Sequence, residues 1–497
     1  MKGIGGEELK NRTLWIVLIV VILLTAATVV FNTVHFYTIE YDLDPTCTAS
    51  GGHYQKCALC RRVRLVSAVP AVGHKQTWFT VKEATSATEG IEELRCSVCN
   101  LLLETKRIPM KESPIPALYL RGSGMGMSAT HSILADFVYR GNDKNRGENP
   151  DIPSSENDTA SDETLLSDEE NMPLDEDNTQ SSGTTRVRLM DESADYDKKL
   201  SYVLHDFQVG EGQPPLFGDF GQSDEIRIYA NNDDRTGVRR IVSYGQWRDI
   251  VAANYPDYAR CISASDDTQY AGYNFLLYIR NQKPTYTFMG IYTLSIPYTS
   301  LVRKSMPDVR YILYQYGNRI DYVYGAAEDE ETARQSFSEF ENAPTDSLSY
   351  HTDLSVLIDY YAFSLMTANS DAFSDLYWVS PDGVLWYPVP NNMEHTYGSR
   401  SGTVALAEAD LSVEPSQGIF FEFATAYRAE ISKRITELKR GRLSPERIKE
   451  EFTVAVSKLD AEVYREDCAL NNVAYHDPIQ EVEELVAWYT EHLLSLR

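Results

Sequence analysis

An α+β fold is predicted for most of this 497-residue chain, on three observations. Short apolar and alternating runs follow residue 113, amphipathic segments with three- and four-residue apolar spacing dominate the end, and one uncharged apolar stretch precedes both. A chain of this length fits two or three domains. Hydrophobic residues make up 43% and the 32 tyrosines swell the aromatic share, so a sizeable core is available. The formal charge of −27 argues against nucleic acid as a partner, because phosphate binding is driven by clustered Lys and Arg.

Residues 13–31 (TLWIVLIVVILLTAATVVF) carry no charge. At about 1.5 Å per residue they span about 28 Å, close to the hydrocarbon thickness of a bilayer. A cleaved signal peptide has an apolar core of only about 7–15 residues and a small-x-small cleavage site. The stretch is therefore expected to be a transmembrane helix with the lipid bilayer as its partner. Lys10 and Arg12 precede it, whereas Glu40, Asp42 and Asp44 follow. The positive-inside bias puts residues 1–12 in the cytoplasm and the remainder outside, as a single-pass protein of the cell membrane.

Residues 45–110 contain a duplication at a spacing of 39. Thr46-Cys47-Thr48-Ala49-Ser50-Gly51 matches Thr85-Ser86-Ala87-Thr88-Glu89-Gly90, Cys57-Ala58-Leu59-Cys60 matches Cys96-Ser97-Val98-Cys99, and Val69-Pro70 matches Ile108-Pro109. Each copy centres on a Cys-x-x-Cys turn, which lets two thiolates reach one face of a tetrahedral zinc ion. Three arrangements follow. Cys47, Cys57, Cys60 and His74 close a site within the first copy, the second having Ser86 in place of Cys47 and no histidine matching His74. Alternatively Cys57, Cys60, Cys96 and Cys99 share one zinc, or the cysteines form disulfides, which an external location permits. The region is similar to short tandem cysteine modules of bacterial surface proteins, with a trailing Pro-Ala-x-Gly-His at Pro70-Ala71-Val72-Gly73-His74. Nothing in the spacing indicates an open coordination position, so the expected role is a spacer or partner-binding module.

From residue 113 onward, residues 115–120 and 132–139 read as strands. Residues 147–185 hold twelve Asp or Glu and no Lys, Arg or aromatic residue, so they read as a disordered acidic insertion. A strand at 186–189 follows it. Glu225-Ile226-Arg227-Ile228-Tyr229 alternates as a half-buried strand does. Residues 238–253 have helical spacing, and residues 273–279 and 287–294 form a strand pair around Asn281-Gln282-Lys283-Pro284. Helices are expected at 354–367, 420–439, 444–464 and 478–496, the third opened by Ser444-Pro445-Glu446.

Over residues 113–497 the chain resembles the CotH (spore coat protein H) kinase family. Tyr229-Ala230-Asn231, Asp233-Asp234, Arg239-Arg240-Ile241-Val242-Ser243 and Trp247 resemble the family's Lys-Ala-Asn … Asp … Arg-Asn-Ile-Val … Trp stretch. Met289-Gly290-Ile291-Tyr292-Thr293-Leu294 resembles its Gly-x-Tyr-x-Leu strand. Ser336-Phe337, the run from Asp353 to Tyr361 and Ala368-Asn369-Ser370-Asp371 resemble the helix leading to Asn-x-Asp, and Trp386-Tyr387-Pro388 through Tyr397-Gly398 resembles the Asp-Met-Asp-x-x-Phe-Gly segment. The resemblance implies an atypical protein-kinase-like fold, strands first and helices last, that uses ATP with Mg or Mn to phosphorylate Ser or Thr of a surface or spore-coat protein. It makes Asp371 the catalytic Asp and places Lys198, Lys199, Asn231, Arg239, Asp375, Asn392 and Glu394 around nucleotide and cation. Five departures from the pattern stand out: Asp375 where the family has Asn, Asn392 and Glu394 where it has two Asp, Tyr229 where it has Lys, and Arg240 where it has Asn. Two readings follow, a divergent kinase and a catalytically impaired pseudokinase acting as a surface or coat-assembly scaffold. The histidines form no His-x-x-x-His or Ser-His-Asp signature, which leaves metalloprotease and serine hydrolase without support.

Overall fold

The computed structural model describes residues 6–33, 35–111, 113, 115–122, 127–141, 181–191, 198–209, 224–232, 234–255, 258, 270–280, 285–305, 309–398, 415 and 418–496. The chain divides into two compact units, one of Met1–Ala84 with Glu89–Pro109 and one of Thr85–Thr88 with Met110–Arg497.

The first unit opens with helix α1 (Gly6–Thr33), of which Asn11–Val30 is long and apolar enough to cross a membrane. Its threonine hydroxyls are satisfied within the helix, Thr25 Oγ1 donating to Val21 O at 2.8 Å and Thr28 Oγ1 to Leu24 O at 2.9 Å. Two three-stranded antiparallel sheets follow. The first is β1 (Tyr37–Leu43), β2 (Gly51–Cys57) and β3 (Val63–Val69), and the second is β4 (Gln76–Lys82), β5 (Gly90–Cys96) and β6 (Leu102–Ile108). All three strands recur at the 39-residue period, so each repeat starts one strand earlier than the matched motifs indicate. The tight turns recur as well, with Arg61 and Asn100 both left-handed after the Cys-x-x-Cys.

In the second unit seven strands close a barrel in the order β10-β11-β13-β12-β7-β8-β9. They are β7 (Ala117–Gly122), β8 (Ile133–Arg140), β9 (Ser181–Leu189), β10 (Tyr202–Val209), β11 (Glu225–Tyr229), β12 (Tyr273–Arg280) and β13 (Thr287–Ser295). β7 and β12 run parallel and the other neighbours antiparallel. β9 begins at Ser181, not at Arg186. Residues 181–185 pair with β8 and bury Ser181 and Thr185, so the last part of the expected acidic insertion is barrel wall. The rest of that insertion, and the Asn281–Pro284 turn, lie outside the described residues.

Helix α2 (Val238–Asn254) follows β11, and α3 (Tyr298–Ser305) follows β13. A four-stranded sheet comes next, in the order β15 (Arg319–Tyr324), β14 (Tyr311–Tyr316), β16 (Asp375–Ser380), β17 (Tyr387–Pro390). Between β15 and β16 run α4 (Glu330–Glu341) and α5 (Leu354–Thr367). The chain ends in α6 (Ile419–Ala426), α7 (Arg428–Arg440), α8 (Pro445–Ser457), α9 (Ala461–Leu470) and α10 (Pro478–Ser495). Strands thus come mostly first and helices mostly last. The two long helices expected at 420–439 and 444–464 are each split. The second breaks where Asp460 caps a new helix, its carboxylate accepting from Glu462 N at 2.9 Å and Val463 N at 3.2 Å. Trp247, Trp378 and Trp386 are fully buried, Trp378 being sandwiched by Phe337, Phe340 and Phe420.

Candidate functional site

Helix α5 is apolar on nearly every face and buried, so its end is a rigid mount. Asp353 caps its start, accepting from Ser355 N at 2.9 Å. It ends at Ala368, whose φ of 47° is left-handed, an uncommon conformation for a residue with a Cβ. The chain then turns, with Asp371 N donating to Asn369 Oδ1 at 3.1 Å and Asp375 N to Asp371 O at 2.8 Å, and enters β16 at Asp375. Because β16 pairs antiparallel with β17, with Leu376 opposite Pro390, the residues after β17 return beside Asp375. Asn391, Asn392 and the short Met393–His395 turn are delivered there, and α2 holds that turn through Ser243 Oγ and Thr396 Oγ1 at 2.7 Å.

Asp371, Asp375, Asn392 and His395 meet in one hydrogen-bond network. His395 Nδ1 lies 2.5 Å from Asp371 Oδ2, and Asn392 Nδ2 reaches Asp371 Oδ2 at 3.4 Å and Asp375 Oδ2 at 2.5 Å. Asp375 Oδ1 also accepts from Tyr314 and from Asn391 Nδ2, each at 2.8 Å. Burial opposes charge on both carboxyls. At Asp371 the hydrogen bond and charge of His395 outweigh it and hold the carboxyl below its usual range. At Asp375 burial prevails, helped by the charges of Asp371 and Glu394, and the carboxyl is pushed up.

Glu394, on the same turn, faces the barrel. Arg240 NH1 lies 3.3 Å from its Oε2, and the guanidinium sits 4.5 Å from the centre of the Tyr229 ring. Arg240 therefore touches both Tyr229 and Glu394, and all three are departures from the family pattern. They line a cleft of about 110 Å³ together with Asn231, Asp234 and Gly237. Asn231 is left-handed at φ 56°, accepts from Thr293 Oγ1 at 2.9 Å, and keeps a buried Nδ2 without a hydrogen-bond partner. A Cβ on Gly237 would come within 2.6 Å of that nitrogen, so glycine keeps the space open.

The remaining expected cofactor-binding residues are not among those that line this cleft, although Arg239 and Lys199 bond to residues that do. Arg239 NH1 pairs with the buried Asp234 at 3.0 Å, and Asp234 also accepts the Arg239 backbone N at 2.7 Å. Lys199 Nζ donates to Asp467 Oδ1 at 2.8 Å and to Ile291 O at 2.6 Å, and packs on the Tyr292 ring. Lys198 is exposed. Tyr314, His395 and Asp467 are site neighbours that no sequence spacing singles out.

These groups do not suit a magnesium ion. An ion of this kind needs oxygen ligands at near-octahedral geometry. Here the Asn392 amide presents N–H to both carboxylates, and Glu394 is engaged by Arg240. Among the described residues, the groups of three or more His, Cys, Asp or Glu side chains placed to share an ion consist of cysteines and histidines only.

Those groups differ from both zinc arrangements expected from sequence. Cys47 and His74 join Cys96 and Cys99, while Cys57 and Cys60 join His35. The first repeat does not close on itself, because the turn carrying Cys47 lies at the end of β1–β2 away from the Cys57-x-x-Cys60 turn. The two Cys-x-x-Cys turns do not share a site either. His35 carries a readable signal: it precedes His74 by 39 residues, the repeat period. All six described cysteines are free. Backbone N–H groups of the turns, chiefly those of Cys60 and Cys99, lower the thiols of Cys57 to about 6 and Cys96 to about 5, while burial raises Cys47 to about 11.

Thr85–Thr88, the second copy of the Cys47 turn, belongs to the larger unit, where Thr85 and Thr88 hydroxyls donate to Glu466 at 2.9 and 3.1 Å and Ser86 bonds Asp460. That turn holds a hydrogen-bonding Ser where its counterpart holds a thiol.

No curated protein and no solved structure matches the chain. The family model described as CotH kinase protein matches residues 191–495, which include β10 to β17, the cleft and the Asp371 network. With that match over more than half its length, the chain belongs to the CotH kinase family.

Proposed function

We propose that this protein is a membrane-anchored, extracytoplasmic CotH-family scaffold of the cell surface or coat, with a kinase-like cleft impaired in phosphoryl transfer. The observation that carries the reading is the occupation of the cation-handling positions by the protein's own donors. Asn392 N–H spans Asp371 and Asp375, and Arg240 neutralises Glu394. The membrane assignment rests on the Asn11–Val30 span, and the orientation on Lys10 and Arg12 before it.

An active kinase is the second reading. It is favoured by the opposite shifts of the two carboxyls, Asp371 down and Asp375 up, a pattern that suits acid–base division of labour. Full-length protein in detergent, given γ-labelled ATP with Mg²⁺ or Mn²⁺ and envelope extract, is expected to transfer no label. Transfer that disappears in Asp371→Ala would overturn the scaffold reading. Calorimetry supplies the converse test. Restoring both acids in Asn392→Asp/Glu394→Asp is expected to raise metal-dependent ATP affinity at least about tenfold, because two oxygens on short stems return to the cation positions. An unchanged affinity would show that these two positions do not limit cation binding.

A further inference from the structure

We infer that the cysteine repeats hold two zinc ions of unequal coordination: a closed centre on Cys47, His74, Cys96 and Cys99, and an open one on His35, Cys57 and Cys60. Both groups bring their ligand atoms within 4.8 Å of one another. A tetrahedral zinc with bonds of about 2.3 Å to sulfur and about 2.0 Å to nitrogen has S···S edges of about 3.8 Å and S···N edges of about 3.5 Å. The structure gives Cys47 Sγ to Cys96 Sγ at 3.6 Å, Cys99 Sγ to His74 Nδ1 at 3.4 Å and Cys60 Sγ to His35 Nδ1 at 3.2 Å. A disulfide needs about 2.05 Å between sulfurs. Thiolate and imidazole together select zinc over hard oxygen-seeking cations.

The burial pattern makes the same demand. Strands β1, β3, β4 and β6 are exposed along almost their whole length, so neither sheet packs a hydrophobic core. Cys57, Cys96 and Cys47, at 0%, 1% and 7% exposure, are among the few buried apolar side chains of this unit. A small unit that buries its ligands and little else depends on a metal for its folding free energy.

The inequality follows from the repeat. Each unit contributes a histidine and, 25 residues later, the second cysteine of its Cys-x-x-Cys. The fourth ligand of the closed centre, Cys47, comes forward from the preceding unit. Counting back one period of 39 from Cys47 reaches Glu8, within α1, so no cysteine stands at that position for the first unit, and among the described residues its group has three ligands. Its metal keeps one coordination position for water. Ligands of both centres reach the surface, His74 and Cys99 in one and His35 and Cys60 in the other, so the open position, not burial, is what gives a chelator its foothold on the second ion.

The test uses full-length protein in detergent, reconstituted with zinc under reducing conditions and analysed by plasma mass spectrometry before and after mild chelation. Two zinc ions per chain before chelation and one after are expected. Cys47→Ser should lose the retained ion, and Cys60→Ser should hold one ion in both measurements. A chelator-resistant ion that survives Cys47→Ser overturns the ligand assignment. So does release of both ions together, or protection of Cys47 and Cys96 from alkylation as a disulfide in freshly isolated protein. If Cys47→Ser fails to fold, wild-type protein loaded with cobalt decides the matter. Thiolate-to-cobalt absorption of the resistant and labile ions should stand near three to two, and equal intensities overturn the proposal.

Discussion

At Gly290 a single hydrogen atom separates a tolerated backbone from a broken ion pair. The residue has φ 121°, and a Cβ there would collide with Asp467 Oδ1 and come within 2.9 Å of Lys199 Nζ. Lys199 and Asp467 side chains are 6% and 5% exposed, so neither charge has water to fall back on. Gly290→Ala is expected to destabilise the larger unit by about 2–4 kcal/mol, read as a lower urea midpoint. Gly245 is the control. It lies inside α2 with nothing within 4 Å of the point where an alanine methyl would stand, and Gly245→Ala should add about 0.5–1 kcal/mol. The family motif around Gly290 was legible in the sequence, but its cause was not, because Lys199 and Asp467 are 268 residues apart. The same holds for Tyr229, Arg240 and Glu394. Each departure is visible alone, and only the fold reveals that the cation absent from 229 is present at 240 in the same cleft.

Helix α10 carries a titratable group that its packing disfavours. Burial pushes Glu481 from an ordinary 4.5 to about 7, against the charges of Arg239 and Arg235. The folded state then keeps a proton that the unfolded chain releases, so stability falls as pH rises between these two values. The full difference corresponds to about 3 kcal/mol, and partial exposure reduces it to about 1–2. Glu481→Gln is therefore expected to raise Tm by about 2–4 °C at pH 8 and to leave it unchanged at pH 4, by calorimetric scans. No rise at pH 8 would mean the carboxylate is solvated in the fold. Among the elements, α5 coincides with its predicted bounds because a cap and uninterrupted apolar spacing agree. Strands β16 and β17 gave no such signal. β16 is buried at every position and so lacks alternation, and β17 carries Pro388 and Pro390, residues that weaken a strand assignment.

For the whole molecule, the order of apolar N-terminal helix, cysteine repeats and mixed strand–helix region was legible because each has a distinct composition. The closure of the barrel was not, since strand neighbours 150 or more residues apart leave no local mark: Leu276 of β12 sits opposite Ala117 of β7. That closure bears on where the domain begins. The family match starts at residue 191, yet β7, β8 and β9 end at Leu189 and form three of the seven staves. A fragment cut at 191 would be a broken cask. β10 and β12 would stand as raw rims of unpaired N–H and C=O groups, ready to add strands from another copy. Such a fragment is expected to elute as large aggregates in gel filtration, whereas residues 35–497, which keep both three-stranded sheets and all seven barrel strands, should remain monodisperse. The core of this domain thus depends on a hoop of chain that lies outside the stretch by which its family is identified.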